Sequence, residues 1–392
     1  MTNLPVGIGL MRVLIVPMAA MAETSGPFSR CRLLAQGLKA ADVEVATCAA
    51  NDVNYKAIDG IKNYALDVPM PLGMPKFIAS KTFPIATKLG ITSRKTVNSF
   101  DQVLLFTGNL DYKYLKKSVN SITNAIREYK PDIVYSEFNI SAIIAAKKEK
   151  VKLYSTVSYP TQHEYANNPR LSKGLNRILA ELDLPQVESA LQLFDWADKL
   201  FCLSINELEN INKPNVYYCG TLKRKSEILE SSNATRNKIV IYMGNGTISA
   251  NDIFKISKEA FSDYEVSIAS ASLNEGDYGN IHVAPRWNFD ELLNEAIVFI
   301  NHGGQNSVVD GLIYGVPQIV IPGKVFERKF NASLVEDHNA GIVVSYKDCS
   351  AHALRSAFDK IIGSDDMIAN AKKLGDKLTE PGGIDVIIKE CI

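Results

Sequence analysis

The sequence predicts an α/β fold built from two Rossmann-like domains, each a mostly parallel sheet with helices on both faces. Apolar runs with strand character alternate with amphipathic helical patterns along the chain, which is typical of such sheets. The length of 392 residues exceeds one average domain, and a polar stretch divides the alternation into two halves. The composition, 46% hydrophobic and 22% charged, is that of a soluble globular protein.

The elements of the first half follow from the apolar runs. Strands are predicted at residues 12–18, 43–48, 103–106, 132–136, 152–157, 199–203 and 216–219. The first run is interrupted by Pro17 and leads into further helix and strand patterns, so we interpret it as a strand and not as a signal peptide.

A second alternation follows the polar residues 223–238, which we interpret as an interdomain linker. Strands are predicted at residues 239–243, 266–269, 281–284, 298–300, 318–321 and 342–346. The predicted organisation is an N-terminal domain over residues 1–222, a C-terminal domain over 239–376 and a terminal segment over 377–392. In that segment, residues 381–383 break the helical pattern before a last short helix.

Composition excludes several classes of function. Lys plus Arg and Asp plus Glu both number 43, so no general attraction to nucleic acid follows. No apolar run reaches the roughly 20 residues that span a bilayer. The six cysteines include no C-x-x-C pair and no histidine at zinc spacing, which favours reduced thiols in a cytoplasmic protein. No D-x-D triplet is present, and we predict no metal site.

The run from His302 to Ala332 is the most informative part of the chain. His302, Gly303 and Gly304 interrupt a short apolar strand, and two adjacent glycines let a backbone approach a ligand closely. Asn306 or Ser307 is a predicted N-cap for a helix over residues 308–314, so amide groups and the positive end of a helix dipole face the turn. An anion is expected there, with the His302 imidazole as an added hydrogen-bond donor.

Polar side chains farther along the run face the same predicted crevice. Asp310, one turn into the helix, offers a carboxylate that could accept both hydroxyl hydrogens of a ribose. Glu327, Arg328 and Asn331 begin a further helix after a buried strand. Together these residues indicate a nucleotide-sugar site rather than an ordinary strand–helix–strand unit, which requires neither His302 nor Asp310.

This run resembles the UDP-glycosyltransferase superfamily, the inverting transferases of the GT-B fold. The family signature reads roughly H-x-G-x-N-S-x-x-E-G-x-x-x-G-V-P, then P-x-x-x-D-Q-x-x-N-A. The matching residues are His302, Gly304, Asn306, Ser307, Gly311, Gly315, Val316, Pro317, Pro322, Asn331 and Ala332. Asp310 stands where the family has Glu. The implied fold has two domains facing each other across a cleft, and the last helix crosses back to the first.

The resemblance also implies roles for these residues. The first domain would bind the acceptor, and the second would bind a UDP- or dTDP-linked sugar, with no other cofactor. His302, Gly303, Gly304, Asn306 and Ser307 would hold the diphosphate, and Asp310 the ribose. Glu327 and Arg328 take the place of the Asp-Gln pair that reads the sugar hydroxyls. Arg for Gln replaces a neutral donor and acceptor with a cation that only donates, so either the donor sugar is unusual or Arg328 points elsewhere.

Two further segments of the second domain fit this interpretation. The glycine loop Gly244, Asn245, Gly246 and Thr247 follows a predicted strand, at the edge where open α/β sheets bind ligands. Trp287 stands in a segment that loosely resembles the family's base-stacking motif, and a flat indole can cover a pyrimidine. The alternative is that Trp287 simply packs beneath a loop.

The first domain departs from the family pattern. Pro27 stands where the family carries its catalytic histidine, so the proton of the acceptor hydroxyl needs another base. Three candidates follow predicted strands, namely Glu23, Glu137 and His163. For each of them a solvated loop charge or a hydrogen-bonded histidine remains an alternative.

The resemblance implies transfer of a hexose-type sugar to a small-molecule, lipid or glycan hydroxyl by metal-independent inverting displacement. Two alternatives stay open: a non-catalytic subunit of the same fold that binds or stabilises an active partner, and a nucleotide-sugar epimerase or hydrolase. Residues 68–100 carry basic but no acidic side chains. This segment is a solvated loop, a lid over the acceptor, or a contact with an anionic membrane or a partner protein. The formation of a homodimer is a further open alternative.

Overall fold

Parallel strands flanked by helices make up most of the computed structural model of this chain. The structure describes residues 10–21, 25–52, 55–74, 96–228, 236–244 and 248–392. These residues divide into two units. The first contains the described residues of 10–74 with 100–222 and 384–392, and the second contains those of 96–99 and 223–383.

The first unit is centred on a parallel sheet with the strand order β3-β2-β1-β4-β5-β6-β7. The strands are β1 Arg12–Pro17, β2 Glu44–Thr47, β3 Lys62–Asn63, β4 Ile133–Glu137, β5 Lys152–Val157, β6 Lys199–Cys202 and β7 Val216–Tyr218. The chain runs from β1 out to β3 and returns to β4 on the other side of β1. The carboxyl ends of β1 and β4 therefore border a topological switch point, where open α/β sheets bind ligands.

The second unit has a sheet with the order β10-β11-β9-β8-β12-β13-β14, in which only the pairing of β10 with β11 is antiparallel among the described strands. Its strands are β8 Lys238–Tyr242, β9 Glu265–Ala269, β10 Gly276–Tyr278, β11 Ile281–Ala284, β12 Ala296–Asn301, β13 Gln318–Val320 and β14 Gly341–Val343. The equivalent switch point lies between the carboxyl ends of β8 and β12. The expected α/β fold class is confirmed.

Helices cover both sheets. In chain order they are α1 Ser25–Ala40, α2 Phe100–Thr107, α3 Tyr112–Tyr129, α4 Ile140–Glu149, α5 Lys173–Glu181, α6 Ala250–Ala260, α7 Phe289–Asn294, α8 Gln305–Ile313, α9 Phe326–Asp337, α10 Ala351–Ile362, α11 Asp365–Thr379 and α12 Ile384–Cys391. Short 3₁₀ turns occupy Pro71–Gly73, Tyr159–Thr161, Pro169–Leu171, Ala190–Trp196 and Lys225–Glu227. None of the helices in the described ranges is long and apolar enough to cross a membrane.

Local sequence explains where several helices begin. Asp111, Asn139, Ser249 and Ser350 precede α3, α4, α6 and α10, and each accepts a hydrogen bond from an amide of the first turn. Such caps satisfy amides that have no partner within the helix. At α8 the capping residue is Gly304, which provides no side-chain acceptor.

The last helix, α12, belongs to the core of the first unit. Ile384 and Ile387 are buried with Leu34 and Leu38 of α1. The Tyr154 hydroxyl donates to the carbonyl oxygen of Glu390 at 2.8 Å. The chain therefore enters the first unit again at Ile384, later than the predicted start of the terminal segment at residue 377.

One predicted strand was wrong. Residues 103–106 belong to helix α2, in which Phe100 and Leu104 are buried at helical spacing. Periodicity alone cannot separate a short apolar run in a strand from one in a helix. The edge strands β3 and β10 were missed because they have only two and three residues.

Candidate functional site

The switch point of the second sheet brings two glycine turns side by side. Tyr242 of β8 and Asn301 of β12 are the last paired residues of their strands. Gly244 and Gly303 follow them with φ angles of 49° and 80°, in the left-handed region that favours glycine. A Cβ built on Gly244 would lie 3.4 Å from the His302 ring, so both turns line one crevice. The other residues of the predicted loop, Asn245, Gly246 and Thr247, lie outside the described residues.

Buried amide side chains hold the turn after β12. The Asn301 Oδ1 atom accepts from the Gly303 amide at 2.8 Å, and its Nδ2 atom donates to Gln318 Oε1 at 2.7 Å. Gln318 Nε2 in turn donates to the carbonyl oxygen of Val308 in α8 at 2.9 Å. From α9, Asn331 Nδ2 donates to the Gly303 carbonyl at 2.9 Å. Asn331 thus binds the backbone of the turn, whereas the sequence predicted that its side chain faces the crevice.

Asn301 and Gln318 were not identified from the sequence. Both are fully buried, at 0% exposure, in strands that are otherwise apolar. A polar residue in such a strand requires a hydrogen-bond partner, and this was the signal that could have identified them.

Helix α8 begins at Gln305, with Gly304 as its N-cap. The prediction that Asn306 or Ser307 caps the helix was wrong, because both residues already lie in its first turn. Gly304 has no side chain to occupy the space above that turn. A Cβ there would lie 2.7 Å from His302 Nε2, so the imidazole packs directly over the start of the helix.

The His302 imidazole is neutral at pH 7. Burial, followed by the nearby charge of Arg328, lowers its pKa to about 3, and the hydrogen bond to Tyr242 opposes the shift. His302 Nδ1 lies 3.4 Å from the Tyr242 carbonyl oxygen, so we assign the proton of the neutral ring to Nδ1. Nε2, which faces Gly304, is then an acceptor, whereas the sequence had led us to expect a donor at this point.

The first turn of α9 carries Glu327 and Arg328. Val97 holds its start, because the Val97 amide donates to the Lys324 carbonyl at 3.2 Å and the Phe326 amide donates to the Val97 carbonyl at 2.9 Å. Burial lowers the pKa of Arg328, and its charge acts on His302.

Asp310 belongs to an ionic cluster beside α8. Lys223 Nζ lies 3.4 Å from Asp310 Oδ1 and 2.5 Å from Asp290 Oδ1. Burial raises the pKa of Asp310, and Lys223 opposes the rise. Trp287 follows β11, is partly exposed, and donates its indole N–H to the Ile268 carbonyl at 3.2 Å.

Two of the three base candidates lie among the described residues of the first unit. Glu23 lies outside the described residues. Glu137, at the end of β4, is fully buried, with its Oε1 atom 2.5 Å from Arg30 Nε and its Oε2 atom bound by Thr156. Burial and the bound guanidinium shield this carboxylate from an acceptor molecule in this structure, and the role of Glu137 as base stays a prediction.

His163 remains accessible, with 26% of its side chain exposed. Its Nδ1 atom lies 3.4 Å from Asp195 Oδ2, and Lys213 also binds Asp195. Asp52, which we did not single out from the sequence, follows β2 and lines a small cavity with Ala19 and Phe28. Its carboxylate accepts from the Ala20 amide at 3.4 Å, which places it beside the loop that leads to Glu23.

Among the described residues, no group of three or more histidine, cysteine or acidic side chains is placed to hold a metal ion.

Replacing Glu137 by Gln should destabilise the protein by about 3–5 kcal/mol, because it leaves the buried Arg30 guanidinium without its counter-charge. Urea unfolding measures the change. Glu128→Gln is the matched control, since Glu128 forms an exposed ion pair with Lys62 and should change stability little. Equal stability of the two variants would contradict a structural role for Glu137.

The pKa values of His302 and His282 should be shifted in opposite directions. Hydrogen bonds to Asp277 and Glu265 raise the pKa of His282, whereas burial lowers that of His302 to about 3. NMR of the imidazole carbons should show His302 neutral at pH 5 and His282 still protonated above pH 6.5. The variants His302→Asn and His282→Asn assign the signals. A midpoint near pH 6.5 for His302 would show that burial does not lower its pKa.

Comparison with known proteins agrees with this architecture. Residues 265–392 match the model of the erythromycin biosynthesis protein CIII-like C-terminal domain. An uncharacterized UDP-glucosyltransferase of Bacillus subtilis (strain 168), YdhE, is 31% identical over 155 residues, which are 37% of this chain and 39% of that protein. The alignment thus spans about two fifths of that relative's length.

Solved structures match over nearly the whole chain. The glycotransferase of kitacinnamycin superposes with a TM-score of 0.74 at 15% identity, covering 97% of this chain and 98% of the other. The spinosyn rhamnosyltransferase SpnG complexed with thymidine diphosphate superposes with a TM-score of 0.70 at 14% identity, covering 97% and 100%. These structural matches show that the chain has the GT-B fold.

Proposed function

We propose that this protein is a glycosyltransferase that moves a hexose-type sugar from a UDP- or dTDP-linked donor to an acceptor hydroxyl. The observation that carries the proposal is the glycine turn at the switch point of the second sheet, where Gly303 and Gly304 leave the start of α8 without a side-chain cap. Amide groups and the dipole of a helix N-terminus favour a phosphate. The name of the Bacillus subtilis relative and the nucleotide bound to SpnG support these donors.

The nucleoside would lie beside the same helix. Asp310 must be ionised to accept hydrogen bonds from both ribose hydroxyls, and Lys223, 3.4 Å away, opposes the effect of burial on its pKa. Lys223 is therefore a positioning residue in this proposal. Trp287, fixed through its N–H, would present the face of its ring to the base.

The proposed reaction is a single displacement with inversion. The acceptor oxygen bonds to the anomeric carbon, the bond from that carbon to the β-phosphate oxygen breaks, and the acceptor proton passes to a base. The nucleoside diphosphate leaves with one more negative charge, which the α8 amides stabilise. This stabilisation requires no divalent cation, so turnover in EDTA should equal turnover in Mg²⁺.

A second candidate is a non-catalytic subunit of the same fold. Pro27 favours it, because this residue replaces the family's catalytic histidine and lies in the first turn of α1. The side chain of a proline has no group that accepts a proton, and its backbone nitrogen carries no hydrogen to donate.

Nucleotide binding tests the proposal directly. UDP or dTDP at about 100 times its Kd should raise the free energy of unfolding by about 2.7 kcal/mol, as measured by thermal shift. His302→Ala should weaken that binding, because it removes the imidazole that packs over the start of α8. His352→Ala, at an exposed position of the same unit, is the control and should bind as the wild type does. If no nucleotide stabilises the wild type, the non-catalytic subunit is favoured.

Single substitutions should identify the base. The variants Glu23→Gln, Asp52→Asn and His163→Asn are compared for turnover and for donor affinity. Loss of the base should lower kcat by about a hundredfold or more with donor affinity unchanged. If all three variants retain full turnover, the base lies elsewhere.

A further inference from the structure

The glycine turn that would hold a diphosphate lies at the positive end of the α8 dipole, but its histidine, His302, carries no charge. Burial and Arg328 keep the His302 ring neutral, and its Nδ1 proton is directed at the Tyr242 carbonyl. A diphosphate carries only hydrogen-bond acceptors, and the Nε2 atom of the ring is also an acceptor, so the two cannot form a hydrogen bond. The α8 amides supply partial charges, and a full positive charge for the phosphates would come from another residue.

Arg328 is placed to supply it. The first turn of α9 packs directly on the glycine turn, because a Cβ on Gly303 would lie 2.7 Å from the Arg328 carbonyl oxygen. Asn331, one turn later, fixes this packing through its bond to the Gly303 carbonyl at 2.9 Å. Electrostatically, Arg328 acts on His302 after β12, and Tyr242 at the end of β8 acts on Arg328. Arg328 therefore stands on the helical turn that packs against the glycine turn after β12.

Three other cations among the described residues of the second unit are bound to other groups or exposed. Lys223 is bound to Asp290 and Asp310. Lys324 lies over the ring of Tyr346, 5.6 Å from its centroid. Lys329, the next residue of α9, is exposed.

We propose that Arg328 binds the diphosphate of the donor and neutralises the charge that this group gains as it leaves. The inference rests on the proposed function and deepens it. A guanidinium presents a planar fork of N–H donors that matches two phosphate oxygens, whereas the hydroxyls of a neutral sugar require acceptors as well as donors. When the bond from the anomeric carbon to the β-phosphate oxygen breaks, its electron pair stays on that oxygen, beside the guanidinium.

Calorimetric titration of Arg328→Gln with UDP, uridine, UDP-glucose and UDP-glucuronate tests the role. Loss of a charge-assisted hydrogen-bonding pair should weaken UDP and UDP-glucose binding about tenfold to a hundredfold and leave uridine binding unchanged. Lys329→Gln is the matched control, because it removes the same charge from the next residue of the helix, and it should bind every ligand as the wild type does. Arg328→Met, which keeps the side-chain length, should reproduce the loss and serves if Arg328→Gln does not fold.

Transfer kinetics provide the second readout. A residue that stabilises the leaving diphosphate should lower kcat as well as donor affinity when it is replaced, because the charge develops in the transition state.

Two results would overturn the inference alone. Unchanged UDP affinity in the Arg328 variants would remove this residue from the diphosphate site. A loss confined to UDP-glucuronate would show that Arg328 reads a sugar carboxylate instead. If the wild type binds no nucleoside diphosphate at all, the proposed function itself fails.

Discussion

Three buried amide side chains fix the turn on which the proposed site depends. Asn301, Gln318 and Asn331 come from β12, β13 and α9, and they are 0%, 0% and 3% exposed. Buried amides are costly unless they are hydrogen-bonded, and here they bond the Gly303 amide, the Gly303 carbonyl and the Val308 carbonyl. The start of α8 is therefore held in place before any ligand arrives. Such preorganisation is what an anion site at a helix N-terminus requires.

The two sheets have similar strand orders, but their switch points differ chemically. At the first, Phe138 adopts a left-handed φ of 57°, which is unusual for a bulky residue, and the Arg30–Glu137 ion pair is buried beside it. At the second, the left-handed positions are Gly244 and Gly303, which add no side-chain volume. The glycines at the second switch point thus allow close approach of a ligand, whereas a bulky residue and a buried ion pair lie at the first.

Much of this architecture could be predicted from sequence. Buried strands such as β12 read as nearly continuous apolar runs, and the spacing of His302, Gly304 and Asp310 indicated the glycine turn. What the sequence could not give was set by tertiary contacts. Residues 103–106 form a helix because their neighbours bury only one side of the run. Glu137 followed a predicted strand like a catalytic carboxylate, but only the fold shows that Arg30 from α1 reaches it.

The protonation state of His302 shows the same limit. Its sequence position indicates a phosphate contact, whereas its charge depends on burial and on Arg328, a residue that is distant in sequence. The change from Gln to Arg at position 328 acquires a physical meaning only once α9 is seen to pack on the Gly303 turn. In the proposed mechanism, the two departures from the family motif, Pro27 and Arg328, concern different steps, deprotonation of the acceptor and departure of the diphosphate.

In our proposal, a nucleoside diphosphate binds where β12 turns into α8. A crystal structure of the protein with UDP or dTDP tests it most directly. We expect phosphate oxygens within hydrogen-bond distance of the amides that begin α8, with the Arg328 guanidinium in contact with them. A nucleotide bound elsewhere, with this turn facing only solvent, would contradict the account.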